Sequence, residues 1–155
     1  MEPESLLPAE LKAAIGVELE PETIAVEKRL VQRLLKATGA PYPRQGEEAP
    51  VSLLLTWMMS GGRMSPRLPP TLNWLMSDGE LEPVPPFKGV LDGGGEWEFL
   101  APIRVGDAIT STMRILDIKE KVGRLGRMLI VTWETEHRNQ HSQRVALSRG
   151  TLIGY

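Results

Sequence analysis

Two histidines, a pair of adjacent glutamates, and an aspartate followed by three glycines are the groups in this chain from which chemistry would ordinarily be assembled. An imidazole exchanges protons near neutral pH, but His137 and His141 both fall in or beside the polar connector RNQHSQR. As a metal pair they would need a third ligand and a pocket, and the neighbouring residues offer neither. The expectation is a solvated turn and no metal. Glu47 and Glu48 could supply a general base, although two acids ahead of Pro50 also suit a solvated helix start. Asp92, Gly93, Gly94 and Gly95 could let backbone approach a ligand closely and present N–H groups to a carbonyl oxygen; the plainer alternative is a flexible start of a strand. Three consecutive glycines lack the spacing of a dinucleotide or P-loop motif. Trp57 and Met58, with Met59 and Met64, could line an apolar tunnel or simply pack a core. Arg124, Arg127, Arg144 and Arg149 could meet phosphates or serve as surface charge. Cysteine is absent, which removes thiolate nucleophiles, disulfides and cysteine-ligated zinc.

Composition limits the classes further. The 155 residues, 41% of them hydrophobic, suffice for one globular domain with a real core and would crowd two. Eighteen basic residues are dispersed among 20 acidic ones, so no basic block points to nucleic acid. The N-terminal MEPESLLPAELKAAIG is acidic and has no long apolar run, which reads as neither a signal peptide nor a membrane anchor. A cysteine-free chain is compatible with a reducing compartment, and the expected location is the cytoplasm.

The elements that must position these groups follow from periodicity. Residues 1–14 read as a short arm whose loss should cost little, and residues 15–155 as one domain. Val17 to Val26 alternates around Pro21 as a first strand. From Glu27 to Thr38, Leu30, Val31, Leu34 and Leu35 recur at spacings of three and four, and Gly39 supplies a stop, which predicts an amphipathic helix. Most of the 13 prolines lie in residues 40–92, where loops are expected. The exception is Ala49 to Gly61, APVSLLLTWMMSG, which predicts a buried helix of about three turns at the centre of the fold. Thr71 to Asp78 suits a further helical turn. Glu96–Phe99, Ala108–Ile118, Met128–Glu136 and Val145–Ile153 alternate as strands joined by short polar connectors. The fold class is α+β.

Three segments carry a family resemblance: PIRVGD at Pro102 to Asp107, GRLGRM at Gly123 to Met128, and WETEHRNQ followed by VALSRGTLI. Together they resemble the N-terminal MaoC-like dehydratase domain over about Ile15 to Tyr155. The resemblance implies a hotdog fold, a curved antiparallel sheet wrapped around a central helix, acting on acyl-CoA or acyl-carrier-protein thioesters with no other cofactor. Active relatives of the R-specific enoyl-CoA hydratase type carry Gly-Asp-x-Asn-Pro-(Leu/Ile)-His after the first helix. There the carboxylate and imidazole hold the water that is added or removed.

The matching stretch here is Gly39-Ala40-Pro41-Tyr42-Pro43-Arg44-Gln45. Ala40 stands in place of the Asp, Tyr42 of the Asn and Gln45 of the His, so the loop frame is retained without its acid-base pair. By resemblance, this is a non-catalytic, substrate-accommodating subunit of a heteromeric enoyl-CoA hydratase or 3-hydroxyacyl-thioester dehydratase. A MaoC-like catalytic subunit would be its partner, and an acyl-CoA thioester its ligand, potentially a bulky one such as a steroid side chain. The alternatives are a homo-oligomeric hotdog thioesterase using Glu47 or Glu48 as base, and a non-catalytic acyl-CoA-binding module.

Overall fold

The structure of the chain, a computed structural model, describes residue 7 and residues 9–41, 47–58, 67–76 and 87–155, with residues 56–58 described by their backbone alone. In the C-terminal third, alternating apolar and polar residues form three long antiparallel strands: β3 (Ala108–Gly123), β4 (Gly126–Arg138) and β5 (Arg144–Gly154). Two earlier strands close the flanks, β1 (Glu22–Ala25) against β3 and β2 (Val90–Phe99) against β5. The sheet therefore runs β1-β3-β4-β5-β2 and is antiparallel throughout. Register shifts between Ile115 and Asp117, between Asp92 and Gly95, and between His137 and Arg138 bend the strands. The result is the curved antiparallel sheet of a hotdog fold. β1 is shorter than the expected first strand, because Pro21 has no N–H to donate; Glu18 returns to β3 through a single bridge to Arg114.

Among the described residues, four helices accompany the sheet: α1 (Ala9–Ala13), α2 (Lys28–Thr38), α3 (Ser52–Met58) and α4 (Pro70–Met76). One apolar cluster joins α2 and α3 to one end of the sheet through Val31, Leu35, Leu53, Leu54, Ile109 and Val145. Another joins α1 and α4 to the other end through Leu72, Trp74, Leu75, Ile115, Leu129 and Val131. Trp74 stacks on Phe87 with ring centroids 6.1 Å apart. Leu11 and Ala14 are buried in this second cluster. The segment expected to be a dispensable arm thus contributes core side chains, because the apolar face of its single helical turn meets the sheet. The expected central helix over Ala49 to Gly61 is observed as α3; Pro50 and Val51 precede it in a turn, and residues 59–61 lie outside the described ones. Among the described residues, no helix is long and apolar enough to cross a membrane.

Candidate functional site

The stretch that the resemblance sets against the family's catalytic loop, Gly39 to Gln45, follows the C-terminus of α2. Gly39 adopts the left-handed conformation with φ 68°. Its N–H donates to the Lys36 carbonyl, and the Ala40 N–H donates to the Leu35 carbonyl at 3.0 Å. These two bonds form a Schellman cap, so helix termination itself sets the place of Ala40. Ala40 and Pro41 are exposed, whereas Tyr42 and Gln45 lie outside the described residues. At the position that the helix cap fixes most firmly, the side chain is a methyl group, which neither gives nor takes a proton.

The far end of the loop is clamped. Glu47 has a positive φ of 42°, its carboxylate accepts from Lys28 Nζ at 2.9 Å, and its carbonyl accepts from the Val105 N–H. Glu48 bridges to Arg104 in backbone and pairs with its guanidinium at 3.4 Å. Both carboxylates are thus surface counter-ions, and the segment is a short ladder against residues 103–105 rather than a helix start. That ladder ends in the PIRVGD corner. Gly106 turns with φ 95°, and the Asp107 carboxylate accepts from the Arg104 N–H at 2.7 Å and from the Gln140 side chain at 3.0 Å. The corner's glycine and aspartate thus serve the scaffold.

His137 departs from expectation. β4 continues through it to Arg138, so it lies within the strand and is fully buried. Ser111 Oγ is 2.7 Å from its Nδ1, Ser148 Oγ is 3.3 Å from its Nε2, and the Trp97 ring stacks on it at 5.4 Å. Parity along β4 explains this placement: His137 shares its face with Leu129, Val131 and Thr135, all buried. The connector is shorter than the polarity of RNQHSQR suggests, and of the two histidines His141 alone lies in it, exposed. Ser111, Thr135 and Ser148, which sequence reasoning missed, are buried on the same face. Their signal was a polar residue at the inward parity of an otherwise apolar strand. Two buried polar atoms among the described residues have no hydrogen-bond partner, Trp133 Nε1 and Thr135 Oγ1.

The Asp92 to Gly95 run lies within β2, at an edge of the sheet, rather than in a loop before it. Its glycines serve the bulge. Gly94 has φ 94° and its N–H donates to Asp92 Oδ1 at 2.8 Å, while a Cβ on Gly95 would approach the Arg149 carbonyl oxygen to 2.8 Å. Trp57 and Met58 fall in α3, with their side chains outside the described ones. Three of the arginines hold glutamates: Arg127 with Glu120, Arg144 with Glu136, and Arg149 with Glu134. Burial works to raise the Glu136 pKa, but hydrogen bonds and charge from Arg138 and Arg144 outweigh it and hold the carboxyl below its ordinary value. Among the described residues, no group of three or more histidines and carboxylates is arranged to hold a metal ion.

Along the β2 edge, several apolar side chains are open to solvent. Val90, Leu91, Phe99 and Leu100 are exposed, as are Val51 and Leu55 of the α3 region. An open groove of about 320 Å³ runs between Val51 and the Phe99-Leu100-Ala101 segment.

The family model for the FAS1-like dehydratase domain region matches residues 13–148. The chain belongs to this dehydratase family. Its fold is also that of solved MaoC-like proteins. A MaoC-like dehydratase from Rhodospirillum rubrum is 18% identical with a TM-score of 0.64, covering 96% of this chain and 97% of its own. The ChsH1-ChsH2 complex from Mycobacterium tuberculosis gives 16% identity and a TM-score of 0.70, with coverages of 95% and 88%. The HadBC complex of the same organism, a 3R-hydroxyacyl-ACP dehydratase, gives 16% and 0.63, with coverages of 91% and 97%. No curated protein matches the chain in sequence. The resemblance carried by PIRVGD, GRLGRM and the last two strands is therefore to the right family, and the hotdog sheet is present.

Proposed function

We propose that this dehydratase-family chain is the non-catalytic, substrate-accommodating subunit of a heteromeric enoyl-CoA hydratase or 3-hydroxyacyl-thioester dehydratase, whose partner supplies the Asp/His pair. The observation that carries the reading is Ala40, which the Schellman cap of α2 holds and which the resemblance sets against the carboxylate of the family's loop. Gln45 in place of the family's imidazole supports it from sequence. Neither histidine offers a substitute: His137 is enclosed by serines and an indole, and His141 sits on the exposed β4–β5 turn.

The exposed apolar residues along the β2 edge support the partner. An unpaired edge is a template for another strand, and a partner's sheet laid there would cover Leu91 and Leu100. Two of the similar solved structures, HadBC and ChsH1-ChsH2, are themselves complexes. The thioesterase reading is weaker, because Glu47 and Glu48 are committed to Lys28 and Arg104. A bulky acyl group would account for a site given over to room, and the absence of cysteine suits action in the cytoplasm.

The test is co-expression with a MaoC-like subunit that carries Gly-Asp-x-Asn-Pro-x-His, followed by hydration assays on crotonyl-CoA and on bulkier enoyl-CoA thioesters. Each component and the purified mixture are assayed. The chain alone should be inactive and the mixture active. Robust turnover by the homogeneous chain would overturn the reading.

A further inference from the structure

The inner face of the sheet is apolar at both ends and polar between them. Among the described residues, the two apolar clusters, one under α2 and α3 and the other under α1 and α4, are separate. Between them runs a row of inward positions on β3, β4 and β5: Ser111, Thr135, His137 and Ser148, all buried. The strand register sets Ser111 opposite His137 and Thr135 opposite Ser148. Three of these four side chains are internally satisfied, since His137 takes both serines. Thr135 is not: its Oγ1, and Nε1 of Trp133 two positions away on the same face of β4, are buried without a hydrogen-bond partner.

Folded proteins rarely leave a buried donor unmatched, and two neighbouring ones on one strand face mark a place where a group from outside completes the bonding. We infer that this row binds a neutral oxygen, a hydroxyl or carbonyl, carried within the apolar portion of the acyl ligand. The inference rests on the reading of the chain as part of an acyl cavity and adds a substrate class to it. The chemistry of the two atoms selects the ligand. An indole N–H only donates, so its partner must present an acceptor, whereas the threonine hydroxyl donates or accepts and can share that same oxygen. An ammonium group would leave the indole unmatched. A carboxylate or phosphate is disfavoured because no lysine or arginine is buried among the described residues. Apolar clusters on either side of the row suit hydrocarbon flanking the oxygen on both sides.

The experiment measures binding of dodecanoyl-CoA and of a series of its interior keto and hydroxy derivatives to the full chain by calorimetry. At least one oxygenated member should bind about tenfold more tightly than dodecanoyl-CoA, as expected for a site built to hydrogen-bond an oxygen. Thr135→Val should reduce that preference to within about twofold, and Trp133→Phe should weaken the same member. Without ligand, Thr135→Val should raise Tm, since an unmatched hydroxyl is replaced by a methyl group of similar shape. Equal binding of the oxygenated and plain thioesters would overturn this inference alone, and so would a fall in Tm for Thr135→Val. Failure of every thioester to bind would overturn the acyl-cavity reading along with it.

Discussion

The imidazole of His137 lies against the indole of Trp97, with ring centroids 5.4 Å apart and planes 16° from parallel. Trp97 stacks in turn on Phe99 at 5.8 Å. The three rings connect β4 to the edge strand β2 across β5, so a fully buried polar side chain of the sheet is also its link to the exposed edge.

Removal of that link should be costly for stability and unimportant for turnover. His137→Ala deletes a fully buried ring and strips bonds from two buried serines, which together should cost about 2–4 kcal/mol. Urea denaturation should show a lower midpoint at unchanged slope. His141→Ala, on an exposed turn, should stay within about 0.5 kcal/mol of the parent. A double-mutant cycle of His137→Ala with Trp97→Leu should yield a coupling of about 0.5–1.5 kcal/mol, the range for stacked rings. In a correctly assembled complex, His137→Ala should keep turnover within a few-fold. Abolished turnover with assembly intact would make this imidazole catalytic.

The strands after Gly94, the helix over 27–38 with its glycine stop, and the PIRVGD corner were legible in sequence. Each is written locally, in alternation, in three-four spacing or in a glycine whose φ must be positive. The degenerate loop was legible too, because it depends on the identities of Ala40 and Gln45 rather than on contacts. His137 was misread because polarity was averaged over RNQHSQR, where the parity of β4 counted back to Leu129 places it inward. Asp92 to Gly95 was read as a ligand contact or a flexible strand start, outside the strand proper, because glycine runs weaken strands. Here Gly93 and Gly95 press on Thr151 and on the Arg149 carbonyl, where a Cβ would have no room. The α1 segment was judged dispensable because a five-residue helix carries little periodic signal, although Leu11 and Ala14 are buried.

Acid should remove the contribution of Glu136. Its pKa is lowered in the folded state because Arg138 and Arg144 outweigh the effect of burial. A depressed folded pKa contributes stability that is present above the ordinary value of 4.5 and is lost as pH falls through the folded value. Stability of the parent should therefore decline as pH drops below about 5. Glu136→Gln should flatten that limb, losing stability at pH 7 and little at pH 3. A parent and variant with parallel pH profiles would show that the arginine pairs carry no differential stability.

Two glycines should tolerate no side chain, for different reasons. At Gly106 the obstacle is conformation: φ is 95° and nothing lies within 4 Å of a added Cβ, so Gly106→Ala should cost about 1–2 kcal/mol of backbone strain. At Gly150 the obstacle is space, because a Cβ would overlap three ring carbons of Trp133. Gly150→Ala should cost about 1–3 kcal/mol as overpacking. Trp133→Leu should recover part of the Gly150→Ala loss and none of the Gly106→Ala loss. Thermal unfolding of the two singles and the two doubles separates the causes.

The β2 edge offers the sharpest test of assembly. Leu91 and Leu100 are 41% and 46% exposed, so a charged replacement at either should leave the fold of the isolated chain almost untouched, within about 0.5 kcal/mol. In a sheet-paired heteromer the same side chains would be desolvated against the partner, where an unpaired lysine ammonium is strongly unfavourable. Leu91→Lys with Leu100→Lys should therefore abolish co-purification with the catalytic subunit, while light scattering and circular dichroism report a folded chain. The outer-face variant Arg149→Ala, which removes one of the two arginines paired with Glu134, should co-purify as the parent does. If the double lysine variant still assembles at parental affinity, the partner sits elsewhere, and the groove beside Val51 becomes the surface to mutate next.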